Sequence, residues 1–284
     1  METQRRNEMK AGYLGPLGTF SHQAALEVFS ENEIHPYDTI FQVLMAVEEN
    51  ELDYGIVPIE NSTEGTVNAT VDALIFDLNL YIQKLVVLPI RQNLMVKKGA
   101  DMSVLETVYS HPHALAQCRH YLYENYRNVP AISTQSTAAA AKLVSESEKN
   151  IAAVAPEVAA KVYGLELAAK GIQDSKINYT EFVVVSKNPT DRPIAGANRK
   201  TTICFSTVHE PGSLYKLLDI LAIWDVNMSR IVSRPMRDHP REYVFYIDLE
   251  KADNWKDLQD ALTMLERKTS FFKILGSYPV LDKR

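Results

Sequence analysis

The hydrophobic positions of this chain fall into two rhythms separated by a polar break. From Ala11 to about Ser186, short apolar runs alternate with stretches of helical spacing, the pattern of an α/β domain with parallel strands. Strands are predicted at Ala11–Leu14, Tyr54–Pro58, Leu85–Leu88, Leu94–Val96, Thr107–Ser110, Ala131–Ser133, Ile151–Val154 and Phe182–Val185. Between them Val67, Val71, Leu74, Ile75 and Leu78 share one helical face, and Leu44, Val47 and Leu52 suggest a weaker one. The stretch SKNPTDRPIAGANRK at 186–200 mixes Pro, Gly, Asn and charge without periodicity, so 187–200 is expected to be a linker. Over 201–284 the order becomes strand (Thr202–Ser206), helix (Gly212–Ile223), two strands (Met228–Val232, Tyr243–Leu249), helix (Trp255–Arg267) and strand (Phe272–Leu275). That βαββαβ succession is the ferredoxin-like arrangement. Leu214, Leu217, Leu218 and Leu221 form the buried stripe of its first helix.

Composition removes several function classes. With 284 residues, 46% hydrophobic and 23% charged, the chain can bury two or three ordinary cores. No apolar run approaches the length of a membrane span, so no membrane partner is expected. A net charge of −6 without a Lys/Arg cluster argues against nucleic acid. Cys118 and Cys204 lie far apart and match neither a metal spacing nor a disulfide framework, as in a reducing compartment. The opening METQRRNEMK lacks the apolar stretch of a signal peptide; residues 1–10 read as a disordered tail and the chain as cytoplasmic.

Four strand-to-helix junctions carry hydroxyl or amide side chains: GPLGTFSH at 15–22, PIENSTEG at 58–65, YSHPHALAQC at 109–118 and ISTQSTAA at 132–139. Singly, each reads as helix capping, and Asn61 with Glu64 resembles a capping box. Together they outline the carboxyl ends of strands, where α/β sheets bind ligands and helix N-termini favour anions. A small carboxylate fits that setting. The glycines at 12, 15 and 18 do not make a dinucleotide fingerprint, and neither a phosphate loop nor a G-x-S-x-G elbow is present. His22, His111 and His113 sit at separate caps without a metal-binding pattern, so no metal is expected. His113 and Gln117 share a helical face, with Ser110 at its start, and either line a cleft or form an exposed polar face.

In this order the junctions resemble the prephenate dehydratase family, from Ala11 to Pro279. The resemblance rests on GPLGTFSH, DYGIVPIENSTEGTV at 53–67, SHPHALAQC, the STAAAA run at 136–141, and PGSLYKLL with SRP downstream. With no helical chorismate mutase segment before Ala11, it resembles the single-activity form. The resemblance implies a two-lobed, periplasmic-binding-protein-like catalytic region over 11–186, with the cleft between lobes. Lobe 1 would span about 11–82 and 170–186, and lobe 2 about 83–169. It also implies an ACT-like regulatory domain over 201–284, prephenate as substrate, no cofactor, phenylalanine as effector, and a homodimer or homotetramer. Position by position, Thr180 matches the catalytic threonine of the Thr-Arg-Phe motif, followed by Phe182. Asn61, Ser62, Ser110 and Gln117 match cleft residues, joined by Thr19, Ser136 and Thr137. The implied effector contacts are Gly212, Ser213, Leu214, Asn227, Ser233 and Arg234.

Two positions depart from the motifs. Glu181 stands where the family has the arginine of Thr-Arg-Phe, exchanging a bidentate cation for an anion. Three readings remain open: Glu181 points away from Thr180, since adjacent strand residues face opposite sides, and makes a surface ion pair; it favours arogenate, which carries an ammonium group; or the domain is a sensor that binds a carboxylate without turnover. Thr180 with Asn61, Ser110 and Gln117 favours an enzyme, since a binder has no need of the threonine. Val232 stands at the glutamate of the family's Glu-Ser-Arg-Pro.

Overall fold

The computed structural model describes residues 9–189, 199–237, 242–250 and 255–284. Most of the expected tail and linker, residues 1–8 and 190–198, lie outside the described residues.

Lobe 1 is built on β1 (Ala11–Leu14), β2 (Ile34–Tyr37), β3 (Tyr54–Asn61), the short β4 (Gly65–Thr66) and β5 (Tyr81–Pro89). Helices α1 (Phe20–Leu26), α2 (Ile40–Glu48) and α3 (Asn68–Asp72) connect them, α3 widening into a π-turn over Ala73–Asp77. The chain then crosses to lobe 2, whose five-stranded sheet holds β6 (Asn93–Val96), β7 (Thr107–Ser110), β8 (Ala131–Ser133), β9 (Ile151–Ala155) and β10 (Glu166–Ala169). Around it pack α4 (Pro112–Gln117), α5 (Arg119–Tyr126), α6 (Thr137–Glu146) and α7 (Glu157–Tyr163). It returns as β11 (Tyr179–Ser186), inserted between β3 and β5. Because β5 stays in the first sheet to Pro89, the outward crossing comes later than the expected position near Ile82.

The expectation of parallel strands holds where β1 pairs with β2 and β3 and where β7 pairs with β8 and β9, and is corrected at the strands that make the crossings. β11 runs antiparallel to both neighbours, and β6 antiparallel to β9 and β10. Hydrophobic spacing reports burial, not direction, and a strand that re-enters a lobe from the far side arrives reversed.

The C-terminal domain has the expected order: β12 (Arg199–Thr207), α8 (Ser213–Ile223), β13 (Asn227–Pro235), β14 (Tyr243–Glu250), α9 (Trp255–Lys268) and β15 (Phe272–Asp282). Its last strand continues well past Leu275. From Val280 to Asp282 it pairs in parallel with β5, so one ten-stranded sheet runs from β2 of lobe 1 to β13. One face of the C-terminal sheet packs on its own helices, through Ile203, Phe205, Ile247, Leu217, Leu221 and Leu262. The other shares a core with lobe 1, where Cys204, Tyr246, Leu275 and Tyr278 meet Val43, Leu44, Leu74 and Ile82. Both cysteines are buried and free, and burial pushes the Cys118 thiol up to about 12.

Candidate active site

The ends of β3 and β11 bring Asn61 and Thr180 opposite each other. The Asn61 amide Nδ2 donates to Thr180 Oγ1 at 2.8 Å. Its Oδ1 accepts from the backbone N–H groups of Thr63 and Glu64, at 2.9 and 3.0 Å, which fixes which end of the amide faces the threonine. A hydroxyl that accepts from an amide has its own hydrogen left to donate, and Thr180 is arranged that way. Ser62 ties the same turn to β11: its Oγ donates to Asn178 Oδ1 (3.3 Å) and accepts from Tyr179 N (3.0 Å). The side chain of Asn61 thus caps a turn as expected, but no helix starts there, and Glu64 reaches His113 of lobe 2 instead of the backbone.

A cavity of about 160 Å³ lies between the lobes, lined by Thr63 and Asn178 from lobe 1, each two residues along the chain from a member of the pair, Gln117 and Arg119 from lobe 2, and Gln173 and Asp174 from the returning crossing. Gln117 therefore lines the cleft, its Oε1 accepting from Gln92 Nε2 at 3.4 Å. Arg119 is its cation, 3.9 Å from Asp174. Two contacts close the lobes around this space: Glu64 with His113, and Tyr163 Oη donating to the Leu17 carbonyl at 3.0 Å. Gly18 permits the second approach, since a Cβ there would stand 3.2 Å from the Ala159 backbone. Asn178, Thr63, Glu64, His113 and Arg119 are site residues that sequence motifs did not assign. Only the shared face of His113 and Gln117 pointed toward any of them.

Other expected site residues serve the scaffold. Thr19 and Ser136 cap α1 and α6, accepting from His22 N and Ala139 N, and Thr137 opens α6 behind Ser136. Ser110 is fully buried and its hydroxyl donates to the Val154 carbonyl at 2.5 Å, leaving no proton for a ligand. Phe182 is corrected from cleft contact to core: it packs among Tyr13, Ala24, Ile56 and Val86. Two residues after Thr180 on β11, beyond a register shift, its ring belongs to the interior of lobe 1. Among the described residues no group of His, Cys, Asp and Glu gathers to hold a metal ion.

His22 is buried behind the GPLGTFSH loop, stacked on Tyr13, with its Nδ1 accepting from Gly18 N at 3.2 Å. Burial lowers its pKa, partly countered by Glu31. The imidazole must stay neutral to keep that contact. Stability from this group is therefore complete above the unfolded value of about 6.5 and falls as pH drops through it toward the lower folded value. Thermal melts from pH 7.5 to 5 should show a decline that His22→Gln reduces; identical pH profiles for the two proteins would refute it.

Glu181 faces the other way, into a buried charge cluster. Arg230 Nη2 donates to it, Arg230 Nε pairs with Glu60, and Arg230 Nη1 stands 3.3 Å from Asp248. Lys200 is 3.6 Å from Glu181 and 3.1 Å from Glu250. Burial opposes the Arg230 charge, but Asp248, Glu181 and Glu60 outweigh it and its pKa is raised. Burial also pushes the Glu60 and Asp248 carboxyls up despite Arg230, as expected where acids outnumber bases. The first reading of Glu181 is thus right in direction, and the ion pair is interdomain and buried rather than superficial. Val232 packs on the shared core between Arg230 and Arg234, so both departures from the motifs lie on this one interface.

Arg234 is corrected as an effector contact. It is held bidentate by Asp72 of α3, at 2.5 and 2.6 Å, with Asn68 at 3.2 Å. Strand alternation places Ser233 on the opposite face, paired with Phe245. Gly212 begins α8 with open space around it, and Ser213 Oγ donates to the Glu210 carbonyl. Leu214 is half-buried against the helix-side core. Asn227 is exposed at the other end of the domain, since it pairs at the Lys200–Glu250 level while α8 follows Thr207.

Fold and site together define a two-lobed α/β domain with a polar interlobe cleft, joined by one sheet to a ferredoxin-like domain. Comparison with known proteins gives the family. The prephenate dehydratase family model matches residues 11–190. The bifunctional chorismate mutase/prephenate dehydratase of Aquifex aeolicus is 42% identical over 96% of this chain and 74% of its own length. The prephenate dehydratase of Lactococcus lactis strain IL1403 is 39% identical over 96% of this chain and 98% of its own. The crystal structure of prephenate dehydratase from Arthrobacter aurescens in complex with L-Phe superposes with a TM-score of 0.86 at 33% identity, covering 95% of this chain and 90% of that one. The chain belongs to the prephenate dehydratase family.

Proposed function

We propose that the chain is a prephenate dehydratase, a carbon–oxygen lyase that forms phenylpyruvate for phenylalanine biosynthesis. The observation that carries the reading is the Asn61 amide donating to Thr180 Oγ1 at 2.8 Å, which aims the threonine hydrogen elsewhere. In the reaction the bond to the ring carboxylate breaks, carbon dioxide leaves, its electron pair completes the aromatic ring, and the hydroxyl departs with the carbon–oxygen pair. Thr180 supplies a hydrogen bond to that departing oxygen. The leaving carboxylate should meet neutral groups, because an ion pair would stabilise the ground state. Asn61, Thr180 and Gln117 are neutral, and Arg119 offers a cation for the side-chain carboxylate. The scheme is redox-neutral and balances without a cofactor.

With Glu181 turned to Arg230, the reason for preferring arogenate is gone. Assaying purified protein with prephenate and arogenate in parallel tests this: phenylpyruvate should form from prephenate, and turnover of neither substrate would leave the sensor reading.

The C-terminal domain is proposed as a regulatory site for phenylalanine, supported by the L-Phe bound to the Arthrobacter relative. Gly212 to Leu214 and Asn227 sit at opposite ends of the domain. A pocket using both takes one set from each of two chains, which supports a homodimer or a homotetramer. Phenylalanine should change prephenate affinity about 5- to 150-fold. A flat titration would remove the effector. No helix among the described residues is long and apolar enough to cross a membrane, and a cytoplasmic location is proposed.

A further inference from the structure

The Asn61–Thr180 pair stands at a weak point of the sheet. One step along the same ladder Glu181 is directly opposite Glu60, so two carboxylates face each other beside the catalytic contact. Like charges so placed push strands apart. The β3–β11 ladder shifts register between Glu181 and Phe182 and β3 ends at Asn61. On this side the strands are therefore held past the carboxylates by Ser62, whose N–H donates to the Tyr179 carbonyl at 3.0 Å and whose Oγ accepts from Tyr179 N at 3.0 Å. Between the two carboxylates stands Arg230, which comes from β13 of the other domain and pairs with both. Asp248 holds its third nitrogen at 3.3 Å. Lys200 does not replace it, being closer to Glu250 (3.1 Å) than to Glu181 (3.6 Å).

We propose that Arg230 is a positioning residue for the Thr180 hydroxyl. By bridging Glu60 and Glu181 it holds the ends of β3 and β11 at the spacing where the Asn61 amide meets Thr180. The C-terminal domain thereby completes the geometry of a site it does not line, through one side chain. Arg230 touches no substrate; it acts through the two strands. The inference rests on the role proposed for Thr180 and adds what keeps it in place.

Arg230→Met in the full-length chain tests it. Misplacement by about 1 Å costs on the order of 10²-fold in rate. The variant should lose roughly 10- to 100-fold in kcat with KM nearly unchanged, and amide hydrogen exchange over 57–64 and 178–183 should quicken while 151–160 in lobe 2 does not. Adding Glu60→Gln and Glu181→Gln removes the repulsion, so the triple variant should recover kcat and protection. A merely structural role would lower the folded fraction and leave kcat per folded molecule unchanged, so rates are normalised to the folded fraction. Should the methionine variant not fold, Arg230→Lys reads the same claim, because a single ammonium nitrogen does not reproduce the three separate guanidinium nitrogens that meet Glu60, Glu181 and Asp248, and the same slowing and exchange are expected. Wild-type kcat and exchange in the folded variant, or a triple variant no better than the single, would overturn the proposal. Exchange is measured without substrate. A chain inactive on prephenate whose exchange responds to Arg230→Met fails the dehydratase reading alone, and an active chain indifferent to it fails the positioning alone.

Discussion

Thr180→Val is expected to lower kcat by about 10²- to 10⁴-fold, or about 3 to 5 kcal/mol of transition-state stabilisation, with the fold intact. Valine keeps the β-branched shape that suits β11 and removes only the hydroxyl. The argument turns on the direction of one hydrogen bond. The backbone N–H groups of Thr63 and Glu64 hold Asn61 Oδ1, so the amide must present its N–H to Thr180 and the threonine must give its hydrogen to something else. In the proposed reaction that acceptor is the departing hydroxyl oxygen. Asn61→Asp should act in the same sense, because a carboxylate facing Thr180 would take the hydrogen for itself. The stability cost of the valine variant is modest, about 1 kcal/mol for the unpaired amide. Calorimetry with phenylpyruvate should find its affinity within a fewfold of wild type. A valine variant within tenfold of wild-type kcat would remove Thr180 from the chemistry.

The parts of this fold visible in the sequence are those in which a side chain's surroundings follow from its own segment. Interior strands such as Ile151–Ala155, buried throughout, carry a continuous apolar run and are found directly. The edge strands β2 and β10 are not. Ile34–Tyr37 contains Pro36 and buries only Ile34, so it shows no strand period, and Glu166–Ala169 alternates exposed with half-buried positions but has no fully buried residue to mark a core face. The sequence pattern of β15 ends at Leu275 because Gly276 and Pro279 interrupt it as the strand passes from one domain's sheet to the other's. At the site, Thr180 and Asn61 are legible from their motifs, and Gln117 from its helical face. Glu181 is different. Strand alternation turns it away from Thr180, but its partner Arg230 lies 49 residues along the chain and is fixed only by the docking of two domains. Arg234 shows the same limit: its motif suggests a ligand, while the fold gives it Asp72.

That docking makes Gly276→Ala the substitution expected to cost most in stability, about 2 to 5 kcal/mol. Gly276 has φ +150°, a conformation side chains rarely adopt, and it lies where β15 shifts register against β12 between Thr202 and Ile203. A Cβ there would stand 2.4 Å from the Ile82 carbonyl oxygen and 3.3 Å from its nitrogen and carbonyl carbon. All three are backbone atoms, so no side-chain rotation relieves the clash. Ile82 is itself held in β5 opposite Val185 of β11, so yielding there would disturb the strand that carries Thr180. The alternative is for β15 to lift away, which pulls Leu275 and Tyr278 from the core they share with lobe 1. Urea unfolding should show a lower midpoint, or two transitions where wild type has one. A midpoint shift equivalent to less than about 0.5 kcal/mol would mean that the seam is slack. Because Arg230 arrives at Glu60 and Glu181 with the same domain, the alanine variant should also lose kcat, and to a similar degree as Arg230→Met. A destabilised variant with full kcat would separate the docking of the domain from the placement of Thr180.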